Sequence, residues 1–135
     1  MSIEDRLADL GIDLPPVAKP VAAYVPAIQV GDQISTSGQL PLVSGSLPMT
    51  GLVGDQISQE DAAGQARVAA LNALAAAADV AGGVNNIRRV VRVVVYVAST
   101  ADFTAQPAVA NGASELFGEI FGDAGRHIRS AIGVA

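Results

Sequence analysis

Nine residues from Val90 to Ala98 include six valines, and this run constrains the fold more than any other part of the 135-residue chain. Valine is branched at Cβ and is enriched in β-strands, so the run predicts a strand. Successive side chains of a strand point to opposite faces, which here are one all-valine face and one mixed face: Val91, Val93, Val95 and Val97, with Arg92, Val94 and Tyr96 opposite. Because both faces are largely apolar, the pattern is typical of a strand that is buried on both sides.

Helical patterns lie on either side of the valine run. The first follows Ser58, which forms a capping-box-like pair with Asp61, and its alanine-rich body continues to Gly82. The second is predicted over about residues 104–121, where Pro107 fits only in the first turn. Their apolar stripes lie at helical spacing: Val68, Leu71, Leu74 and Ala75 in the first, and Val109, Leu116, Phe117, Ile120 and Phe121 in the second.

The remaining segments predict one short helix and several short strands. Ser2 caps a helix that ends at Gly11, and three prolines then favour an extended connector, so residues 1–18 precede the main body. Strands are expected at three further places: Val21 to Val30 with its hairpin partner Gln33 to Ser37, a short strand around Leu47 within the loop at 41–54, and a terminal strand within 125–135. This order predicts a single α+β domain over residues 1–135, with the two main helices packed on one face of a mixed sheet.

Composition excludes several classes of function. Eight basic and thirteen acidic residues give a net charge of −5, so nucleic acid is not expected as a partner. With no cysteine and the single histidine His127, the usual zinc ligands are missing, and no cofactor is expected. The longest apolar stretch, Val68 to Ala78, is interrupted by Asn72 and is shorter than the roughly 20 residues that cross a bilayer. Since the N-terminus has no signal-peptide pattern, we expect a cytoplasmic protein without membrane contact.

Arg129 is the main candidate for a binding residue. In the terminal strand it shares a face with Ala131, Gly133 and Ala135, so open space is expected in front of its guanidinium group. The planar fork of an arginine matches a carboxylate or a phosphate with two parallel hydrogen bonds. The alternative is an ion pair with an acidic side chain of a neighbouring strand, which is a common surface arrangement.

Other ionisable residues allow more than one interpretation. His127 lies on the same strand face as Arg129 and is a candidate general base, because imidazole titrates near neutral pH. A surface or packing role for His127 is the alternative. Glu115 and Glu119 lie one helical turn apart like paired carboxylates, although a solvated helix face is the favoured interpretation. For Arg92, a pair with an acidic residue of a neighbouring strand or subunit is expected rather than a ligand role.

Four motifs occur in a set order along most of the chain from about Lys19 onward. They are Tyr24-Val25-Pro26, thirteen residues before Ser37-Gly38-Gln39; the valine strand between two helices; Asn111 in a helix that ends in Leu116-Phe117 and Ile120-Phe121; and Arg129-Ser130-Ala131-Ile132 with Val134-Ala135. In these motifs the chain resembles the reactive-intermediate deaminase family, also called the Rid or YjgF family. The early helix and the residues before Arg129 resemble a divergent branch of that family.

The resemblance implies a chorismate-mutase-like fold that assembles as a homotrimer, with ligand sites in the clefts between subunits. In the family, the arginine that matches Arg129 binds the carboxylate of a small enamine or imine, such as 2-aminoacrylate. Water then releases ammonia and leaves a 2-oxo acid. The tyrosine that matches Tyr24 lies at the same cleft, the backbone near Ser37 and Gly38 lines it, and the asparagine that matches Asn111 helps to hold the arginine.

Three departures from the family pattern bear on activity. The family continues past the arginine strand into another strand, whose glutamate is thought to position the hydrolytic water. The sequence stops at Ala135, so either a tail is missing from it or the protein lacks that strand and supplies a proton acceptor elsewhere. Ala131 stands where a cysteine is often found, and His127 stands where a proline is usual. The alternative function is a non-enzymatic protein that binds or senses a small carboxylate metabolite in the same cleft. Ribonuclease activity, reported for some relatives, fits poorly with the net charge and the lack of a histidine pair.

Overall fold

The computed structural model describes residues 1–135 and contains three α-helices and four β-strands. In chain order these are α1 (Ile3–Asp9), β1 (Ala27–Val30), β2 (Gln33–Thr36), α2 (Gln59–Ala81), β3 (Arg92–Ala98), α3 (Gln106–Phe121) and β4 (Ile128–Val134). Two short 3-10 turns follow the main helices, at Val84–Asn86 and Gly122–Gly125. The predicted α+β class and order of elements are confirmed, except that the loop around Leu47 holds only an isolated bridge between Val43 and Ser46.

The helices begin and end where their flanking residues satisfy the terminal backbone groups. Ser2 and Asp5 exchange both hydrogen bonds of a capping box at α1. Hydrogen bonds that the Asp5 carboxyl accepts from the Ser2 side chain and backbone lower its pKa. At α2, the Ser58 hydroxyl accepts a hydrogen bond from the Asp61 amide at 3.1 Å, as expected from the sequence. Gly82 ends α2 with a φ of 81°, a left-handed conformation that glycine adopts at little cost.

Helices α2 and α3 pack closely enough that small residues must line their contact. A Cβ atom added to Gly112 of α3 would collide with the carbonyl oxygen of Ala63 in α2. The buried face of α2 is therefore rich in alanine, including Ala62, Ala66 and Ala70, whereas the predicted stripe residues Val68 and Leu71 are only half-buried. The larger buried side chains come mainly from α3, and they form a core with α1 and the end of α2: Leu7, Leu74, Leu116, Phe117, Ile120 and Phe121.

The strands form two separate two-stranded sheets, so the prediction of one mixed sheet is wrong in this chain. Strands β1 and β2 are antiparallel, and β3 and β4 are parallel, with no ladder between the two pairs. Strand β1 starts at Ala27 rather than Val21, because the preceding Pro26 has no N–H to donate to a ladder. Strand β3 starts at Arg92 rather than Val90, whose amide donates to the carbonyl of Ala124 instead.

The two faces of the parallel sheet differ sharply in their surroundings. Val93, Val95 and Val97 pack against the helical core, and the register places Arg129 beside Val93 on this same face. The opposite face, here called the outer face, carries apolar side chains that are largely exposed: Tyr96 at 67%, Ile128 at 68%, Ile132 at 41% and Val134 at 39%. A single chain therefore buries the valine strand on one side only. None of the helices has the length and apolarity that crossing a membrane requires.

Replacing Gly112 with alanine is expected to lower the free energy of unfolding by about 1–3 kcal/mol, because the added methyl group would force α2 and α3 apart. Gly64 in α2 is the matched control, since a Cβ atom there would meet nothing within 4 Å. Gly64→Ala should raise the free energy of unfolding by about 0.4–1 kcal/mol. Urea denaturation of both variants measures these changes, and equal effects would contradict the proposed close packing.

Candidate functional site

Arg129 lies on β4 with its side chain directed at α3. Its Nη1 donates to Asn111 Oδ1 at 2.7 Å and to Ser114 Oγ at 3.1 Å. Asn111 and Ser114 are three residues apart on one helix, so both face the strand. Because both acceptors are neutral, they orient the guanidinium group without compensating its charge. The Nη2 and Nε atoms of Arg129 make no hydrogen bond within the chain.

An ion pair, the alternative interpretation of Arg129, does not occur within the chain. The chain forms a single ion pair, between Arg67 and Glu119 at 3.0 Å, and both partners are partly exposed. Glu119 is therefore part of a solvated helix face, and the nearby Glu115 is exposed as well. Arg92 on the outer face also has no acidic partner in the chain.

The small residue Gly133, on the same strand face as Arg129, accommodates packing rather than leaving open space. A Cβ atom added to Gly133 would lie 2.6 Å from Nε2 of Gln106 and 3.0 Å from Oγ of Ser99. Gln106 begins α3, so the helix and its first residue occupy the space over the end of β4. The approach to Arg129 lies at the other end of the strand, beside the turn that precedes it.

His127 is joined to the same group of side chains. Its Nε2 lies 2.9 Å from Ser114 Oγ, and its Nδ1 lies 2.6 Å from the carbonyl oxygen of Gly125. A carbonyl oxygen can only accept, so Nδ1 carries a proton and, in the neutral imidazole, Nε2 is left as the acceptor. The ring also packs edge-on against Phe117, with the ring centroids 5.9 Å apart. Strand parity thus placed His127 and Arg129 correctly on one side.

A pocket of about 280 Å³ opens where these side chains meet. Its lining is entirely polar or glycine: Ser114, Gly118, Gly125, Arg126, His127 and Arg129. The lining contains two arginines and no acidic residue, although the whole chain carries a net charge of −5. An uncompensated cationic pocket of this kind favours a small anion, and the groups with free donors suit a carboxylate or a phosphate.

Gly125 lets the turn that forms one wall of the pocket pack directly against α3. A Cβ atom at Gly125 would collide with the carbonyl oxygen of Phe117, so the turn at Gly122–Gly125 packs directly onto α3. The Arg126 carbonyl accepts a hydrogen bond from Nη2 of Arg89 at 2.8 Å, which holds the segment after the turn. The packed turn and this hydrogen bond therefore fix the positions of Arg126 and His127 at the pocket.

Tyr24, Ser37 and Gly38 form a second group that lies apart from this pocket. The Ser37 hydroxyl donates to the carbonyl of Val25 at 2.6 Å, and the Ser37 amide donates to the carbonyl of Pro26 at 2.8 Å. These bonds tie the Tyr24 segment to the end of the hairpin, where the tyrosine is 51% exposed. None of the three residues lines the Arg129 pocket or bonds to its side chains within one chain.

The buried Asn72 of α2 supports this second group. Its Nδ2 donates to the carbonyl oxygens of Leu40 at 2.9 Å and Leu42 at 3.1 Å, which follow Ser37 and Gly38 in the chain. A buried amide must be hydrogen-bonded, so these two bonds explain a polar residue within the alanine-rich helix. No group of three or more His, Asp or Glu side chains is arranged to hold a metal ion.

Ser114 is the functional candidate that sequence reasoning missed. It lies between Arg129 and His127 and bonds to both. The available signal was its position three residues after Asn111, which places the two side chains on one helix face. The pocket residue Arg126 was also missed, because nothing in strand alternation separates it from an ordinary surface arginine.

Comparison with known proteins identifies the family. A family model described as "YjgF/chorismate_mutase-like, putative endoribonuclease" matches residues 4–133. The chain belongs to the YjgF family. Protein TCP17 of Trypanosoma cruzi is 40% identical over 131 residues, covering 96% of this chain and 82% of TCP17. The predicted resemblance and the chorismate-mutase-like fold are therefore confirmed.

Two solved structures of relatives superpose on the YjgF-family chain along almost its whole length. Protein Atu1372 of Agrobacterium tumefaciens, described as having unknown function, is 41% identical, with a TM-score of 0.86 over 99% of this chain and 82% of its own. A protein of Shewanella oneidensis MR-1, described as a "putative endoribonuclease", is 34% identical, with a TM-score of 0.94 over 99% of this chain and 89% of its own.

Asn111→Asp tests whether the uncompensated charge of Arg129 makes the pocket bind anions. The new carboxylate would pair with the guanidinium group and repel an incoming anion, so affinity for pyruvate should fall by about tenfold or more, equal to about 1.4 kcal/mol. Gln59→Glu at the start of α2 is the control, because it adds the same charge outside the pocket lining. Isothermal titration calorimetry measures both, and an unchanged affinity in Asn111→Asp would count against the pocket.

Proposed function

We propose that this YjgF-family protein binds small carboxylate metabolites at Arg129 and hydrolyses reactive enamine or imine intermediates, such as 2-aminoacrylate, to 2-oxo acids. The proposal rests on the hydrogen bonds that the Arg129 guanidinium group makes and leaves unmade. Its Nη1 is held by Asn111 and Ser114, both neutral, while Nη2 and Nε have no partner in the chain. Two adjacent free N–H groups on a pre-oriented guanidinium match the two oxygens of a carboxylate.

To catalyse this reaction, a protein needs mainly to orient the substrate and to transfer protons. An enamine gains a proton at its terminal carbon and loses one from nitrogen to become an imine. Water then adds to the electrophilic imine carbon, and the C–N bond breaks to release ammonia and leave a ketone. Holding the carboxylate fixes the position of the carbon that water attacks, which is the main benefit of binding in such a step.

Assembly into a homotrimer would complete the site by joining the two groups of residues. Tyr24, Ser37 and Gly38 lie apart from Arg129 within one chain, and the outer face exposes apolar side chains that a monomer would leave in water. Contiguous exposed apolar surface of this kind is typical of protein–protein contact. We place the substrate cleft between subunits, where the Tyr24 region of one chain approaches the Arg129 pocket of the next.

A binding protein without turnover is the second candidate, since the same pocket would serve it. Pyruvate would then bind at Arg129 while ammonia release stays at background. Endoribonuclease activity, which the family description and the Shewanella protein's description suggest, is a further candidate because two arginines in the pocket also suit a phosphate. The chain has one histidine and a net charge of −5, which disfavour RNA, so RNA serves as a comparison substrate in the test.

Arg129→Ala is expected to lower kcat/KM for ammonia release from enzymatically generated 2-aminoacrylate by about 10²-fold, because loss of a charged bidentate contact costs about 3 kcal/mol. Arg88→Ala is the matched control, since Arg88 is an exposed arginine outside the pocket. Ammonia and 2-oxo acid are quantified together, with RNA cleavage assayed in parallel. Equal rates for Arg129→Ala and wild type would contradict the proposal, and RNA cleavage that depends on Arg129 would favour the nuclease.

Tyr96→Asp should convert the trimer to monomers, because it would bury a carboxylate at the centre of the outer face. Val80→Asp is the control, since Val80 is an exposed apolar residue on α2 away from that face. Analytical ultracentrifugation measures the mass of each variant. A wild-type protein that sediments as a monomer, or a Tyr96→Asp variant that remains trimeric, would contradict the assembly.

A further inference from the structure

Three hydrogen bonds run in line from Arg129 through two side chains to a backbone carbonyl. Nη1 of Arg129 donates to Ser114 Oγ at 3.1 Å, Ser114 Oγ lies 2.9 Å from His127 Nε2, and His127 Nδ1 lies 2.6 Å from the Gly125 carbonyl. Helix α3 contributes Ser114, β4 contributes Arg129, and the segment before β4 contributes both His127 and the Gly125 carbonyl. The three bonds lie at the wall of the cationic pocket.

The direction of every bond in this line follows from its two ends. The Gly125 carbonyl only accepts, so the imidazole proton sits on Nδ1 and Nε2 has a lone pair when the ring is neutral. The guanidinium group only donates, so Ser114 Oγ accepts from Arg129. The Ser114 hydroxyl proton therefore points at Nε2 of His127. This is the arrangement in which a histidine can take a proton from a serine hydroxyl.

Both ring nitrogens of His127 already have hydrogen-bond partners within the chain, so the imidazole can exchange a proton with a ligand only through one of those partners. Nδ1 is held by the Gly125 carbonyl and Nε2 faces Ser114. The ring therefore has no free nitrogen to offer a ligand in the pocket. Ser114 Oγ lines the same pocket as Arg129 and His127 and keeps a second lone pair for a water molecule there.

We propose that the Ser114 hydroxyl is the group that moves protons in this pocket, and that His127 is a positioning residue that acts through it. The proposal rests on the function proposed above. As water adds to the imine carbon, the C–O bond forms and the C=N electron pair moves to nitrogen. The water gives one proton to Ser114 Oγ while Ser114 gives its own proton to His127 Nε2, and the reverse of this path returns one proton to the nitrogen, leaving a carbinolamine. The carbinolamine hydroxyl then gives its proton to Ser114, Ser114 passes a proton to the nitrogen, and the C–N bond breaks to release ammonia and leave the carbonyl of the 2-oxo acid.

The first test measures the resting geometry without any substrate. Nitrogen-15 NMR of His127, recorded with the ring neutral, reports which ring nitrogen is protonated. We expect protonated Nδ1, with an Nε2 shift that moves in Ser114→Ala and is unchanged in the control Glu115→Ala. A resting ring protonated on Nε2, or an Nε2 shift indifferent to Ser114→Ala, would overturn the arrangement.

The second test separates proton transfer from binding. Ser114→Ala and His127→Gln should each lower kcat for ammonia release by about 10²–10⁴-fold, the usual contribution of general acid–base catalysis. Affinity for pyruvate should change little, because Asn111 still holds Arg129. The double variant should be no slower than either single variant, since the two residues act as one unit. Ser114→Thr, which keeps a hydroxyl, should recover much of the lost rate.

The outcomes distinguish this inference from the function on which it rests. A wild-type protein that releases no ammonia refutes the proposed function and the proton transfer with it. A wild type that releases ammonia while Ser114→Ala keeps its kcat refutes the role of Ser114 alone. The free energy of unfolding of each variant, compared with Glu115→Ala, shows whether a lost rate reflects lost folding; a rate that falls only in proportion to the folded fraction would also overturn the proposal.

Discussion

The close contact between α2 and α3 determines where the functional side chains lie. Gly112 must face α2, because any side chain there would collide with Ala63. This contact sets the rotation of α3 about its own axis, and successive helical residues are about 100° apart. Asn111 and Ser114 consequently face β4, where they receive Nη1 of Arg129. Helix packing thus places Asn111 and Ser114, while the turn that packs on α3 places Arg126 and His127.

The charge around the Arg129 pocket is positive, although the net charge of the whole chain is negative. A chain with thirteen acidic and eight basic residues places two arginines and one histidine around a pocket with no acidic side chain. The neutral partners Asn111 and Ser114 are needed for anion binding as much as Arg129 itself, because an aspartate in their place would neutralise the guanidinium charge. Uncompensated charge at an oriented guanidinium group is expected where a ligand supplies the counter-charge.

The sequence predicted the elements well wherever a local rule was enough. Ser58 starts α2, Gly82 ends it, and alternation correctly grouped Val93 with Val95 and Val97 in β3. Long-range features were harder to predict. The separate sheets and the packing of Gln106 over Gly133 depend on how distant segments meet, which periodicity does not encode. Ser114 was missed for the same reason, since a helical serine has no distinguishing pattern until its neighbours in space are known.

A crystal structure of the protein soaked with pyruvate would show directly what binds at Arg129. We expect the carboxylate on Nη2 and Nε of Arg129, with Nη1 still bonded to Asn111 and Ser114. We also expect Tyr24 of a neighbouring subunit at the same cleft. An Arg129 that instead pairs with an acidic side chain of another subunit, leaving no place for the carboxylate, would refute carboxylate binding at this site.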